Sequence, residues 1–177
     1  MSRTEILIGG VGGQGVVLSG ILLGTAATLF DGKKAVQTQS YSSELRGGSA
    51  RAEVIISEEP ISDPQVRTPD ILIALAEEAI PRYIDRIRPK GLLVIDSDLV
   101  KGPKPGDYKI LSIPATSIAD KEMGNIVVAN LIILGALIKK TGLLSVEAME
   151  KAIDVSVPKK ATALNLKAFK RGLELQP

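Results

Sequence analysis

A three-layer α/β/α sandwich, Rossmann-like, with a mainly parallel sheet and some antiparallel strands, is the fold this sequence predicts. Three observations point to it. Short β-branched runs alternate with segments of helical periodicity along the whole chain. Residues 70–75 (DILIAL) and 92–96 (LLVID) are continuous apolar runs, the pattern of strands buried on both faces. A glycine-rich turn, Gly9-Gly10-Val11-Gly12-Gly13-Gln14-Gly15, sits where the first strand should hand over to the first helix.

The elements follow in order. Strand one is expected at about 4–9 and helix one at about 14–29, closed by Asp31-Gly32. Residues 33–39 read as strand two. The polar segment Tyr41-Ser42-Ser43-Glu44-Leu45-Arg46-Gly47-Gly48-Ser49 reads as a loop. The partial alternation of 50–57 suits a strand with one wet face, which need not run parallel to the rest. After a connecting stretch marked by Pro60 and Pro64 comes the strand at 70–75. A helix from Ala76 to Pro89 and a strand ending at Asp96-Ser97-Asp98 follow. A loop at 102–106 leads to a strand at 108–113 and a short helix at 115–122. The most apolar helix spans 125–140, interrupted by Asn130. Ser145 is placed to cap an amphipathic helix, and Pro158 precedes a last helix at about 159–172. No repeat or interdomain linker appears, so one domain over 1–177 is expected.

In the turn, Gly10, Gly12 and Gly15 match the GxGxxG spacing. Glycines without Cβ atoms allow close approach of a ligand and positive φ, so that backbone N–H groups converge on one concavity. The helix behind adds unpaired N–H groups and the positive end of its dipole, which together favour phosphate or pyrophosphate. The plainer reading is that the glycines only let a helix lie close to the sheet. A nicotinamide site of the usual kind would need an acid near the end of strand two. Residues 36–40 (VQTQS) contain none, and Asp31 lies before the strand, where it caps structure. Asp96 and Asp98 invite a metal or acid–base reading, but a turn that caps the next segment suits them better.

Composition narrows the chemistry. The chain has neither cysteine nor histidine, which excludes disulfides, a thiol nucleophile, thiolate-held iron–sulfur clusters, common zinc sites and the usual neutral-pH base. A net charge of +2 with no Trp, two Phe and three Tyr gives no nucleic-acid footprint. The apolar run at 126–138 is too short to span a bilayer, and the start lacks the features of a signal peptide, so a cytoplasmic protein with no membrane or nucleic-acid partner is expected. By the rule for open α/β sheets, a ligand or partner should meet the carboxyl ends of the strands, where the glycine turn, the 41–49 loop and Asp96–Asp98 would gather.

The GVGGQG stretch at 10–15, YSSELRGG at 41–48, ISDP at 61–64 and PDILIAL at 69–75 carry a resemblance. So do DSDLV at 96–100 and the segment from Gly124-Asn125-Ile126 to Gly135. Over essentially its whole length the chain resembles the gamma subunits of 2-oxoacid:ferredoxin oxidoreductases, most nearly those of the 2-oxoglutarate type. Ser42-Ser43 departs from the Gly-Pro of many members, while Tyr41, Glu44 and Arg46-Gly47-Gly48 are kept.

The resemblance implies a multi-subunit enzyme that decarboxylates a 2-oxoacid on thiamine diphosphate and passes electrons through iron–sulfur clusters to ferredoxin, forming an acyl-CoA. Thiamine and clusters would sit in partner alpha, beta and, if present, delta subunits. This chain would handle coenzyme A and cover the active site without catalytic residues of its own. A homodimer of the isolated chain is left open. The implied cofactor-binding residues are Gly10, Gly12, Gly13, Gln14, Gly15, Tyr41, Glu44, Arg46, Gly47 and Gly48. Gln14 is expected to donate from its amide, and Arg46 to hold phosphate. The competing readings are a freestanding nucleotide- or acyl-CoA-binding module, a pyruvate- or indolepyruvate-type subunit of the same family, and, disfavoured, an autonomous NAD(P) oxidoreductase.

Overall fold

The computed structural model describes residues 3–41, 48–101, 103 and 105–175. Six strands form one sheet in the order β2-β3-β1-β4-β5-β6. They are β1 (Arg3–Val11), β2 (Lys34–Tyr41), β3 (Ser49–Ser57), β4 (Ile71–Ala74), β5 (Gly91–Asp96) and β6 (Tyr108–Ile113). β1, β4, β5 and β6 run parallel, while β3 is antiparallel to both β1 and β2. The wet-faced strand expected at 50–57 is thus the reversed one. Its reversal returns β2 to the direction of β1 and sets the end of β2, the start of β3 and the end of β1 at one edge, with Tyr41 opposite Ala50 and Val11 opposite Ser49.

The helices are α1 (Val16–Thr25), α2 (Ala79–Tyr83), α3 (Ala115–Met123), α4 (Ala129–Thr141), α5 (Val146–Ser156) and α6 (Lys159–Glu174). The long first helix expected to reach residue 29 does continue, but its last turn, Ala26–Phe30, is π-helical. The helix expected from Ala76 is shorter. It begins at Ala79 and passes into a 3-10 turn at Ile84–Arg86, after which Ile87 is extended ahead of Pro89. Residues 126–128 also form a 3-10 turn, capped by Asn125, whose side chain accepts from Val127 N. Ser145 caps α5 as expected, accepting from Ala148 N at 3.1 Å. Asp31 accepts from Ser145 N (2.8 Å) and Oγ (2.6 Å), so it fastens structure and lies off any ribose position.

The layers are unequal. Alternate side chains of β1 (Ile6, Ile8) and β4 (Ile71, Ile73) join residues of α1, α3, α4, α5 and α6 in the larger core. The opposite set (Leu7, Leu72, Leu93, Ile95) packs with α2, the 3-10 turn behind it, Val66, Val100 and Tyr108. Two glycines let α4 and α6 cross at backbone contact. A Cβ on Gly172 would collide with the Ile132 carbonyl and lie 2.9 Å from Gly135 Cα. No described helix is long and apolar enough to cross a membrane.

Candidate functional site at the carboxyl edge of the sheet

The glycine turn lies where the sequence places it, but its glycines do different work. Gly10 and Gly15 are packing positions. A Cβ on Gly10 would press on Gln14 Oε1 and lie 2.9 Å from Val16 Cγ2, and one on Gly15 would collide with the Asn130 amide. Gly15 also caps α1 in the left-handed region, at φ 74°. Gly13, at φ 94°, is the open one, since a Cβ there would meet nothing within 4 Å. The reading that glycines serve close packing therefore holds for two of them, and the exposed part of the turn is Gly12–Gly13.

Two of the expected binding residues already make bonds of their own. Gln14 braces the turn. Its Oε1 accepts from Val11 N at 2.8 Å, and its Nε2 donates to the Leu75 carbonyl at 2.7 Å, tying the turn to the end of β4. Gly12 does not offer its N–H either, because that group donates to the Gly48 carbonyl at 2.9 Å. Gly48 is thereby a brace for the turn. The amides of Gly13, Val16 and Val17 find no acceptor among the described residues, and they form the donor set at the head of α1.

Tyr41 ends β2 and is largely exposed, at 63%. Its ring, Gly12, Gly13, Val16 and Val17 line one side of a cavity of about 490 Å³. The first two turns of α6 with its cap (Pro158, Ala161, Asn165) and Val127–Val128 form the other. Glu44, Arg46 and Gly47 lie outside the described residues. The two ends of their segment, Tyr41 and Gly48, both stand at this cavity's edge of the sheet. Ile126 (57% exposed) and Val127 (60%) add an apolar rim. No metal-binding group of three or more His, Cys, Asp or Glu occurs among the described residues.

Asp96 and Asp98 are caps. Asp96 Oδ2 accepts from Thr116 N (3.1 Å) and Oγ1 (2.7 Å), its Oδ1 accepts from Asp98 N, and Asp98 Oδ2 accepts from Ser117 N at 2.6 Å. Both carboxylates thus close the amino end of α3. Burial pushes the Asp96 carboxyl above the usual range, and the hydrogen bonds from Thr116 and Asp98 only partly oppose it.

One residue at this edge escaped the motif analysis. Asn130, in the first turn of α4, is 3% exposed and donates through Nδ2 to the Gly15 carbonyl (3.3 Å) and Ser19 Oγ (3.2 Å). Its signal was a lone polar residue inside the most apolar run of the chain. With Gly13 and Val127 it lines a second, smaller cavity of about 260 Å³ beneath the turn.

Comparison with known proteins agrees with this architecture. Residues 5–175 match the family model described as pyruvate ferredoxin/flavodoxin oxidoreductase. The chain is 48% identical to the 2-oxoglutarate synthase subunit KorC of Methanocaldococcus jannaschii, over 98% of this chain and 94% of that one. It resembles the solved keto/oxoacid ferredoxin oxidoreductase gamma subunit of Geobacter sulfurreducens with a TM-score of 0.88 at 41% identity, covering 98% and 96% of the two chains. It also matches 31% of a chain of the 2-oxoglutarate:ferredoxin oxidoreductase of Magnetococcus marinus, solved with 2-oxoglutarate, coenzyme A and succinyl-CoA bound, with a TM-score of 0.87 at 27% identity. The chain belongs to the pyruvate ferredoxin/flavodoxin oxidoreductase family, among its gamma-subunit members.

Proposed function

We propose that this chain is the gamma subunit of a cytoplasmic oxidoreductase that converts 2-oxoglutarate, coenzyme A and oxidised ferredoxin into succinyl-CoA, carbon dioxide and reduced ferredoxin. The unfilled donor set of Gly13, Val16 and Val17 carries this reading. It opens on a cavity large enough for a nucleotide, at the edge where an α/β sheet takes its ligands. A chain without cysteine supplies no thiolate for clusters, which supports placing the clusters in partner subunits; thiamine diphosphate is placed there, in alpha, beta and, if present, delta partners, by the family resemblance.

In this scheme the whole chain, 1–177, acts as one coenzyme-handling domain. The Gly13 and α1 amides take the phosphates of coenzyme A, Arg46 supplies a guanidinium, and Tyr41 flanks the nucleotide. Gly10, Gly15, Gln14 and Gly48 hold the turn in shape, and Glu44 and Gly47 are assigned to the same site with Arg46. The exposed apolar rim of Ile126 and Val127 suits contact with a partner subunit. Coenzyme A, when bound, supplies the thiol that receives the acyl group; this chain only holds and orients it.

The complex purified with its companion subunits tests the reading, with viologen reduction followed for 2-oxoglutarate, pyruvate, branched-chain and aryl 2-oxoacids. Turnover selective for 2-oxoglutarate is expected. Arg46→Ala should raise the KM for coenzyme A and leave that for the 2-oxoacid unchanged. An unaltered coenzyme A KM with intact assembly would remove Arg46 from the site. A chain that binds no partners and exists as a stable acyl-CoA-binding monomer or homodimer would refute the subunit assignment.

A further inference from the structure

A cavity of about 480 Å³ lies at the amino edge of the sheet, opposite the glycine turn. Its floor belongs to the face that carries the larger core. Ile71 pairs with Leu92 and Leu92 with Lys109 across β4, β5 and β6, while Thr4 comes from β1 on the same face as Ile6. Helix α4 runs out here, so Lys140 and Thr141 from its last turn, with Leu143 just beyond, line it too. The turn Arg88–Gly91 completes the lining.

Charge around this cavity is unbalanced. Asp70 is the one carboxylate among the described residues that line it, and it is engaged, accepting from Glu5 N at 2.7 Å and pairing with Arg88. Lys90, Lys109 and Lys140 also line it, and their ammonium groups meet no acceptor among the described residues. The α4 dipole accounts for Lys140, in the last turn of the helix. It does not account for Lys90, in a turn, or Lys109, in β6. Two further features set the cavity apart from a gathering of solvated lysines. Thr4 is only 5% exposed, yet its hydroxyl has no partner among the described residues, which is uncommon for a buried polar group. Lys90 is the one described non-glycine residue with a positive φ, 61°. Its turn, closed by Gly91 N donating to the Arg88 carbonyl at 2.9 Å, needs a left-handed residue there, which glycine supplies without strain. Backbone strain of this kind clusters at ligand sites, and lysine adds a charge that glycine lacks.

We propose that this cavity is an accessory binding site for a small organic anion of two or three negative charges, with Lys90, Lys109 and Lys140 as its charge partners and the Thr4 hydroxyl as a donor. Separate ammonium groups are compact point charges that suit separate carboxylates or phosphates. Ile71, Leu92 and Leu143 offer apolar surface to the carbon skeleton that joins them. The volume is that of an ordinary small-ligand site. The assignment is independent of the coenzyme A reading, which concerns the other edge of the sheet.

Calorimetric titration of the full chain at low ionic strength with citrate and with phosphoenolpyruvate tests this. Saturable binding of at least one is expected. Tighter binding of citrate assigns the site to polycarboxylates, and tighter binding of phosphoenolpyruvate to anions that bear phosphate. Lys109→Gln should weaken binding about tenfold, as expected for a lost charge-assisted hydrogen bond. Thr4→Val keeps the shape, removes the hydroxyl and should weaken it about fivefold. Lys167→Gln removes the same charge from α6, away from the cavity, and should leave the affinity within about twofold. Lys90→Gly removes an ammonium and the strained φ together, so weaker binding with no fall in Tm is expected. Absence of saturable binding by both anions would overturn the proposal. Equal weakening by Lys109→Gln and Lys167→Gln, or an affinity unmoved by Thr4→Val and Lys109→Gln, would also overturn it, leaving only diffuse attraction to a basic surface.

Discussion

Replacing Gly172 by alanine pits helix propensity against packing, and the crossing of α4 and α6 decides the sign. Alanine is favoured over glycine in a helix interior by about 1 kcal/mol. Against that, the new methyl group would overlap the Ile132 carbonyl oxygen and sit 2.9 Å from Gly135 Cα, and both obstacles are backbone that cannot rotate away. The helices must part by roughly 1 Å, a gap that forfeits a quarter to a half of each dispersion contact along the crossing. Ile132, Leu137 and Phe169 are fully buried in that core, which makes the cost fall near the upper end of the ~1–3 kcal/mol found for overpacking. The net is a loss of about 2 kcal/mol, or roughly 4–8 °C in Tm for a chain of this length. Gly24→Ala is the internal control. It lies in α1 with nothing within 4 Å of its Cβ position and should gain up to ~1 kcal/mol. Both are read by thermal and urea unfolding of the same preparation. A Gly172→Ala protein as stable as its parent, or two shifts of the same sign, would refute the close-crossing argument.

Other outcomes follow from the site. Gln14→Ala leaves the Val11 N–H and the Leu75 carbonyl without partners and should cost about 2 kcal/mol, measured by urea midpoint; a lowered coenzyme A affinity at unchanged stability would instead restore Gln14 as a ligand arm. Gly13→Ala meets no atom but must hold φ 94°, so a loss of about 1 kcal/mol from backbone strain alone is expected by the same assay. For Asp96 the folded protein holds the proton more tightly than the unfolded chain, because the carboxyl is raised. Its contribution to stability is therefore greatest at acid pH and declines as pH rises through the raised value. The stability of wild type relative to Asp96→Asn should thus fall as pH rises from the ordinary carboxylate range through the raised one, and a flat or rising difference would contradict the raised carboxyl.

The strands were legible because burial on two faces leaves unbroken apolar runs, as in 70–75 and 92–96, and because a partly alternating segment such as 50–57 marks a strand at the wetter half of the sheet. Asp31, Ser145 and the Asp96–Asp98 pair were legible as caps, since capping is local chemistry. What each glycine does was not. Whether a Cβ fits at Gly15 depends on Asn130, more than a hundred residues away, and Gln14 finds its acceptor at Leu75, just past the end of β4. No pattern in residues 9–15 carries those neighbours. The early end of α2 was equally hidden, because the apolar residues 79–87 suit a helix, yet the chain passes into a 3-10 turn at Ile84 and is extended at Ile87. Asn130 was visible in the sequence only as an interruption; its meaning needed the Gly15 carbonyl and Ser19 beside it.

The reversal of β3 also bears on how such a site can be altered. A parallel return from β2 would need a crossover of a dozen or more residues packed on the sheet, and any change in it would disturb the core. The antiparallel return from β2 to β3 leaves only a short sequence between Tyr41, opposite Ala50, and Gly48, whose carbonyl accepts from Gly12 N. Changes of length between those two anchors therefore leave the paired register of β2, β3 and β1 to hold the edge of the sheet.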